Sequence, residues 1–129
     1  MWLNPLLRIL SPGSIVLDIG CGPGTDSRKL HVGGHTVVAF DLDARSLLRC
    51  RGAAPAALLL RADVRSSLPF RDGTFDSAIS SLSLHYFDGE STLRAFADIH
   101  RVLRGNAPFL FRVNADDDVN FGAGTGTEG

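Results

Sequence analysis

The sequence predicts an α/β fold: a single domain built on an open, mainly parallel, doubly wound sheet. Three observations carry that prediction. Short apolar runs alternate with amphipathic segments along the chain. The runs are continuous rather than alternating in polarity, as strands covered on both faces must be. A glycine-rich turn, Gly20-Cys21-Gly22-Pro23-Gly24, stands between the first run and the segment after it. In such sheets the first turn of this kind lies at the carboxyl edge, beside the point where strand order reverses.

The elements follow in order. A lead-in helix is expected from Asn4 to Leu10. The first strand, Ser14 to Ile19, is rich in β-branched residues, follows the Pro12-Gly13 turn and stops at Gly20. A helix over Thr25 to His31 leads to the Gly33-Gly34 breaker and a second strand, His35 to Phe40, which ends in Asp41. Ala44 to Gly52 reads as helix, with Asp43 the better N-cap candidate than Asp41. The third strand spans Ala56 to Arg61 and ends at Asp63. The fourth, Phe75 to Ser80, is entered from the Asp72-Gly73 turn. Ser91 to Leu103 is the strongest helix, with Leu93, Phe96, Ile99, His100 and Leu103 on one face and Ser91 or Thr92 as cap. The fifth strand covers Pro108 to Val113. The core domain therefore occupies residues 1–113, and 114–129, which have no apolar periodicity, read as a loop or disordered tail.

Composition bounds the function. The chain has 129 residues, 13 Lys+Arg against 14 Asp+Glu, a net charge of −1 and 44% hydrophobic residues. A domain of this size buries roughly two-thirds of its open-chain surface and needs no staples. The near-neutral balance argues against a strong non-specific grip on nucleic acid or an anionic membrane. Cys21 and Cys50 follow no metal-ligand spacing and read as reduced thiols, so a cytoplasmic location is expected. No run reaches the ~18 apolar residues of a membrane span.

The glycine turn and the carboxylates at strand ends hold the chemistry. Glycine lets the backbone bend sharply and approach a ligand closely. A dinucleotide fingerprint would place a third glycine where Thr25 stands, and Pro23 removes an N–H that a pyrophosphate would use. The pattern therefore favours a nucleoside ligand without phosphate. Asp41 at the end of the second strand can accept both hydroxyls of a ribose. Asp63 is either an acceptor for the adenine amine or the side chain of an Asx turn. Asp18 either orients the loop and a ligand ammonium or bonds internally to loop amides.

Four ordered blocks carry a family resemblance: V-L-D-I-G-C-G-P-G at 16–24, V-V-A-F-D-L-D at 37–43, residues 61–87, and I-H-R-V-L-R at 99–104. Together they resemble class I S-adenosylmethionine-dependent methyltransferases, over about Ser14 to Val113. The resemblance implies a Rossmann-like sheet of order 3-2-1-4-5, with S-adenosylmethionine as cofactor and S-adenosylhomocysteine as product. It implies that Asp18, Gly20, Cys21, Gly22 and Gly24 surround the methionine half and that Asp41 with Leu42 meets the ribose. Asp63 and Val64 would hold the adenine, and Ser80, Ser81 and Leu82 would line the pocket beneath the sulfonium.

After the fourth strand, Ser80-Ser81-Leu82-Ser83-Leu84-His85-Tyr86 lacks the family's Asn/Asp-Pro-Pro-aromatic signature and its Pro-Cys nucleophile. DNA methylation is thereby disfavoured and a small-molecule acceptor expected. His85 is the candidate general base or else a packing residue. Cys21 is expected to pack rather than react. Arg104-Gly105-Asn106-Ala107-Pro108 departs from the family's Lys-Pro-Gly-Gly turn, and the family's C-terminal strands are missing. A fifth strand at the sheet edge calls for a longer chain, a homodimer or the tail to cover it. Two other functions compete: a non-catalytic cofactor-binding fragment or regulatory subunit, and a nicotinamide-dependent oxidoreductase.

Overall fold

The structure, a computed structural model, describes residues 1–81 and 89–112. Its elements run α1 (Asn4–Ile9), β1 (Ile15–Ile19), α2 (Thr25–Val32), β2 (Thr36–Asp41), α3 (Ala44–Ala53), β3 (Leu58–Arg61), β4 (Ser77–Ser81), α4 (Gly89–Val102) and β5 (Phe109–Arg112). The sheet order is β3-β2-β1-β4-β5, as the family resemblance implies, with every neighbouring pair parallel, as the apolar runs predict. β1 lies at the centre, where Ile19 pairs with Phe40 on one side and Ser80 on the other.

Successive side chains of a strand point to opposite faces, and here they feed two cores. Leu17, Ile19, Phe40 and Ala78 pack with Ala95, Ile99 and Val102 of α4 and with Val64, Leu68 and Phe75. Val16, Val37, Ala39, Ile79 and Leu110 pack on the other face with Leu3 and Leu6, Leu30 of α2 and Cys50 of α3. Helices thus cover both faces, and the continuous runs of the central strands β1 and β4 are explained by their double burial, whereas β3 at the edge stays partly exposed. Among the described residues no helix is long and apolar enough to cross a membrane.

The strand starts differ from expectation for local reasons. Ser14 belongs to a turn, its hydroxyl donating to the Ser11 carbonyl at 2.6 Å. Ala57 likewise closes a turn on Ala54, so β3 begins at Leu58. Phe75 forms only an isolated bridge with Leu103. Next to it, Asp76 uses its carboxylate as well as its backbone, since Ile15 N–H donates to Oδ2 at 2.8 Å. Pro108 has no N–H to donate, and its carbonyl accepts from the Ser77 hydroxyl at 3.0 Å.

The buried face of α4 is also rotated from the expected one. Leu93 is 72% exposed and His100 is exposed, whereas Thr92, Ala95, Ile99 and Val102 are buried. α4 begins at Gly89, so Ser91 and Thr92 lie in its first turn. Asp43 does cap α3, accepting from Arg45 N–H at 3.1 Å. The expected strand end at Val113 and the tail 114–129 lie outside the described residues.

Candidate functional site

β1 delivers the chain into the glycine turn, where Gly20, Gly22 and Gly24 have φ of 67°, 54° and 90°. These left-handed conformations resist any L side chain. Two of the glycines serve different ends. A Cβ on Gly24 would stand 2.7 Å from Cys50 Cα, so this glycine lets α3 pack against the turn. A Cβ on Gly22 would meet nothing within 4 Å, so its missing side chain leaves open space beside the turn.

Asp41, at the carboxyl end of β2, braces that turn. Gly22 N–H donates to its Oδ2 at 3.0 Å and Asp43 N–H to its Oδ1 at 2.9 Å. Each carboxylate oxygen has two acceptor positions, so one remains on each after these bonds. Leu42 follows, half exposed, with its carbonyl accepting from Arg61 Nε at 2.9 Å.

Asp18 lies beneath the turn, buried on the strand. The Ser27 hydroxyl of α2 donates to its Oδ2 at 2.6 Å, so its internal partner is a helix side chain rather than the loop amides the sequence suggested. Burial pushes its pKa up to about 7; the Ser27 bond opposes that rise, and the nearby Asp26 and Asp41 charges add to it. Cys21 and Cys50 are both buried and free. Burial is the main cause that pushes both pKa values up, reinforced at Cys21 by Cys50 and opposed at Cys50 by bonds with Cys21 and Ser27, which suits packing and not nucleophilic attack.

After β3, Asp63 forms an Asx turn with Arg65 N–H at 2.9 Å and a forked pair with the Arg65 guanidinium, Nη2 to Oδ2 at 2.7 Å. The Arg65 side-chain bond holds the Asp63 carboxyl below its ordinary value. Val64 is buried in the α4-side core and also borders a hollow of about 220 Å³ with Arg65, Arg94 and Asp98.

On the other side of β1 the turn opens into a cleft of about 540 Å³, lined by Gly20, Cys21, Gly22, Trp2, Ser81 and Arg112 among others. The structure therefore brings the glycine turn and Ser81 together in one wall, with Asp18 and Asp41 behind it. Asp63 and Val64 follow β3 and do not line that cleft; Val64 packs in the core with Ile19 and Phe40. Ser80 is buried. Leu82 and His85 lie outside the described residues.

Sequence reasoning missed Trp2, Asp26, Lys29 and Arg112, all of which line the cleft. Arg112 had a usable signal, because it closes a strand at the edge where such sheets bind ligands. Trp2 had none; it arrives there because Leu3 and Leu6 are buried in the α1-side core and fix the lead-in helix.

Comparison with known proteins bears on this geometry. Residues 16–106 match a family model described as a methyltransferase domain. A methyltransferase of Synechocystis is 33% identical over 100 residues, covering 78% of this chain and 47% of that protein. The malonyl-[acyl-carrier protein] O-methyltransferase of Erwinia billingiae is 32% identical over 108 residues, covering 84% of this chain and 42% of that enzyme. The crystal structure of an S-adenosylmethionine-dependent methyltransferase from Mesorhizobium loti superposes with a TM-score of 0.72 at 34% identity, covering 86% of this chain and 53% of that one. The chain spans about half the length of these relatives.

Proposed function

The chain belongs to the methyltransferase-domain family, whose solved relatives depend on S-adenosylmethionine, and from that membership we propose that it binds this cofactor along the carboxyl edge of its sheet and methylates a small acid, free or carrier-linked. The observation that carries the reading is Asp41. Its carboxylate is fixed by Gly22 N–H and Asp43 N–H at the end of β2, beside the glycine turn, with acceptor capacity left on both oxygens. The residues fit the cofactor: Gly22 leaves a space that a Cβ would occupy, and a nucleoside without phosphate makes no demand on the N–H that Pro23 lacks.

When bound, the sulfonium supplies a methyl carbon already activated for in-line displacement, so the protein's work is orientation and exclusion of water. In this reading Asp18, Gly20, Cys21, Gly22 and Gly24 form the methionine pocket and Asp41 with Leu42 receives the ribose. Asp63 meets the adenine with Val64 by exchanging one of the four bonds that Arg65 now donates to its two oxygens. Ser80, Ser81 and Leu82 floor the reaction centre; a carboxylate acceptor is already ionised at neutral pH and needs no base, so His85 serves as general base only for an acceptor that arrives protonated. The malonyl-[acyl-carrier protein] O-methyltransferases among the relatives support a small acid as acceptor. Two buried free thiols suit a reducing, cytoplasmic setting.

Isothermal titration with S-adenosylhomocysteine tests the proposal. Asp41→Ala is expected to weaken binding by about 1.5–3 kcal/mol, the scale of a lost hydrogen bond to a charged group. An unchanged dissociation constant would remove Asp41 from the ribose site, and a folded wild type that binds no S-adenosylhomocysteine would overturn the function itself.

A further inference from the structure

Arg112 ends β5 at the mouth of the cleft, and its guanidinium is held on two sides. Its central carbon lies 4.4 Å from the centroid of the Trp2 ring, a cation–π stack that fixes the plane. Its Nε donates to Ser81 Oγ at 2.8 Å, which fixes the rotation within that plane. Among the described residues no carboxylate pairs with it. Asp26 stands on the same cleft wall, yet one of its oxygens accepts Trp2 Nε1–H at 3.0 Å. The two terminal amino groups of Arg112 keep their parallel N–H pair, the fork that a carboxylate accepts in bidentate fashion. Lys29, exposed on α2, adds a second positive charge to the same cleft.

Resting on the cofactor-site reading above, we propose that Arg112, oriented by Trp2 and Ser81, is the carboxylate receptor of the cleft. The carboxylate comes either from the methionine half of the cofactor or from an acid acceptor. Both sources offer the same planar anion, and both would lie on the β4–β5 side of the glycine turn. Lysine, a point charge, would meet the charge requirement but not the fork.

Titrations of wild type, Arg112→Leu and Arg112→Lys with three probes test the inference. The probes are S-adenosylhomocysteine, 5′-methylthioadenosine, which lacks the amino-acid end, and malonate added to protein saturated with S-adenosylhomocysteine. Circular dichroism confirms that each variant is folded. A cofactor source predicts that Arg112→Leu weakens S-adenosylhomocysteine by about tenfold or more, leaves 5′-methylthioadenosine within about twofold, and is partly rescued by Arg112→Lys. An acceptor source predicts that both nucleosides bind as in wild type while malonate binding falls about tenfold. Either pattern supports Arg112 as the receptor. Equal binding of all three probes by wild type and Arg112→Leu overturns the inference alone, as does an equal loss for the two nucleosides, which would mark a collapsed cleft. Failure of wild type to bind S-adenosylhomocysteine overturns the underlying reading, and this inference with it.

Discussion

Asp18 occupies a central strand where most folds place an apolar residue, and its protonation reports the cost of that choice. Its carboxyl titrates near 3.8 when exposed and near 7 when folded, chiefly because burial disfavours the charge. Between those values the folded state retains a proton that the unfolded chain has lost, so stability falls as pH rises from about 4 to about 7 and levels off above. The full effect is on the order of a few kcal/mol. Asp18→Asn, which keeps an oxygen for the Ser27 hydroxyl, should abolish this slope and be more stable than wild type at pH 8. Urea denaturation at pH 5 and pH 8 checks it; a slope that survives the substitution would assign the titration elsewhere. At this scale the sequence marks candidate residues where position alone constrains what can stand there. Asp18, Asp41 and the glycines were readable because strand ends and tight turns constrain which residue can stand there. Trp2 and Lys29 were not, since only packing of α1 and α2 brings them to the cleft.

Among the elements, α4 shows where pattern reading slips. Its large apolar residues mark one face, but the helix buries Thr92 and Ala95 alongside Ile99 and Val102 and leaves Leu93 exposed. Phe96 stays half-buried against Phe109 and Phe111, with ring centroids 5.8 and 5.2 Å away. A pattern weighted by hydrophobicity favours Leu93 over Thr92 and Ala95 and so turns the face. The same helix organises the segment leading into β4. Arg101 reaches Asp98 at 2.7 Å, the carbonyls of Phe70 and Leu68 at 2.8 and 2.9 Å, and Asp72 at 2.9 Å. Asp98 in turn accepts Leu68 N–H at 2.5 Å. A planar fork makes all these bonds and an ammonium cannot. Arg101→Lys is therefore expected to speed amide exchange at Leu68 and Gly73 by about tenfold while leaving β1 protected. Unchanged protection in hydrogen-exchange NMR would show that the apolar contacts of Leu68 and Phe75 suffice.

Across the whole molecule, the parallel order β3-β2-β1-β4-β5 sets β1 between two sheet halves and opens the cleft beside it. The parallel, doubly wound architecture was legible because continuous apolar runs joined by helices leave few other arrangements, whereas the order itself came from the family resemblance. A ligand bound across both halves must stabilise the fold by mass action. At a hundredfold excess over its dissociation constant, S-adenosylhomocysteine should add about 2.7 kcal/mol to unfolding, whereas NAD should leave the melting temperature unchanged. A thermal shift with NAD and none with S-adenosylhomocysteine would reverse the assignment of the cofactor. The position of α1 has one more consequence. Trp2, the chain's single tryptophan, stands in the cleft wall between Asp26 and Arg112. Its indole is thus an intrinsic chromophore at the site, and emission excited near the red edge of indole absorption reports on that wall without any attached dye.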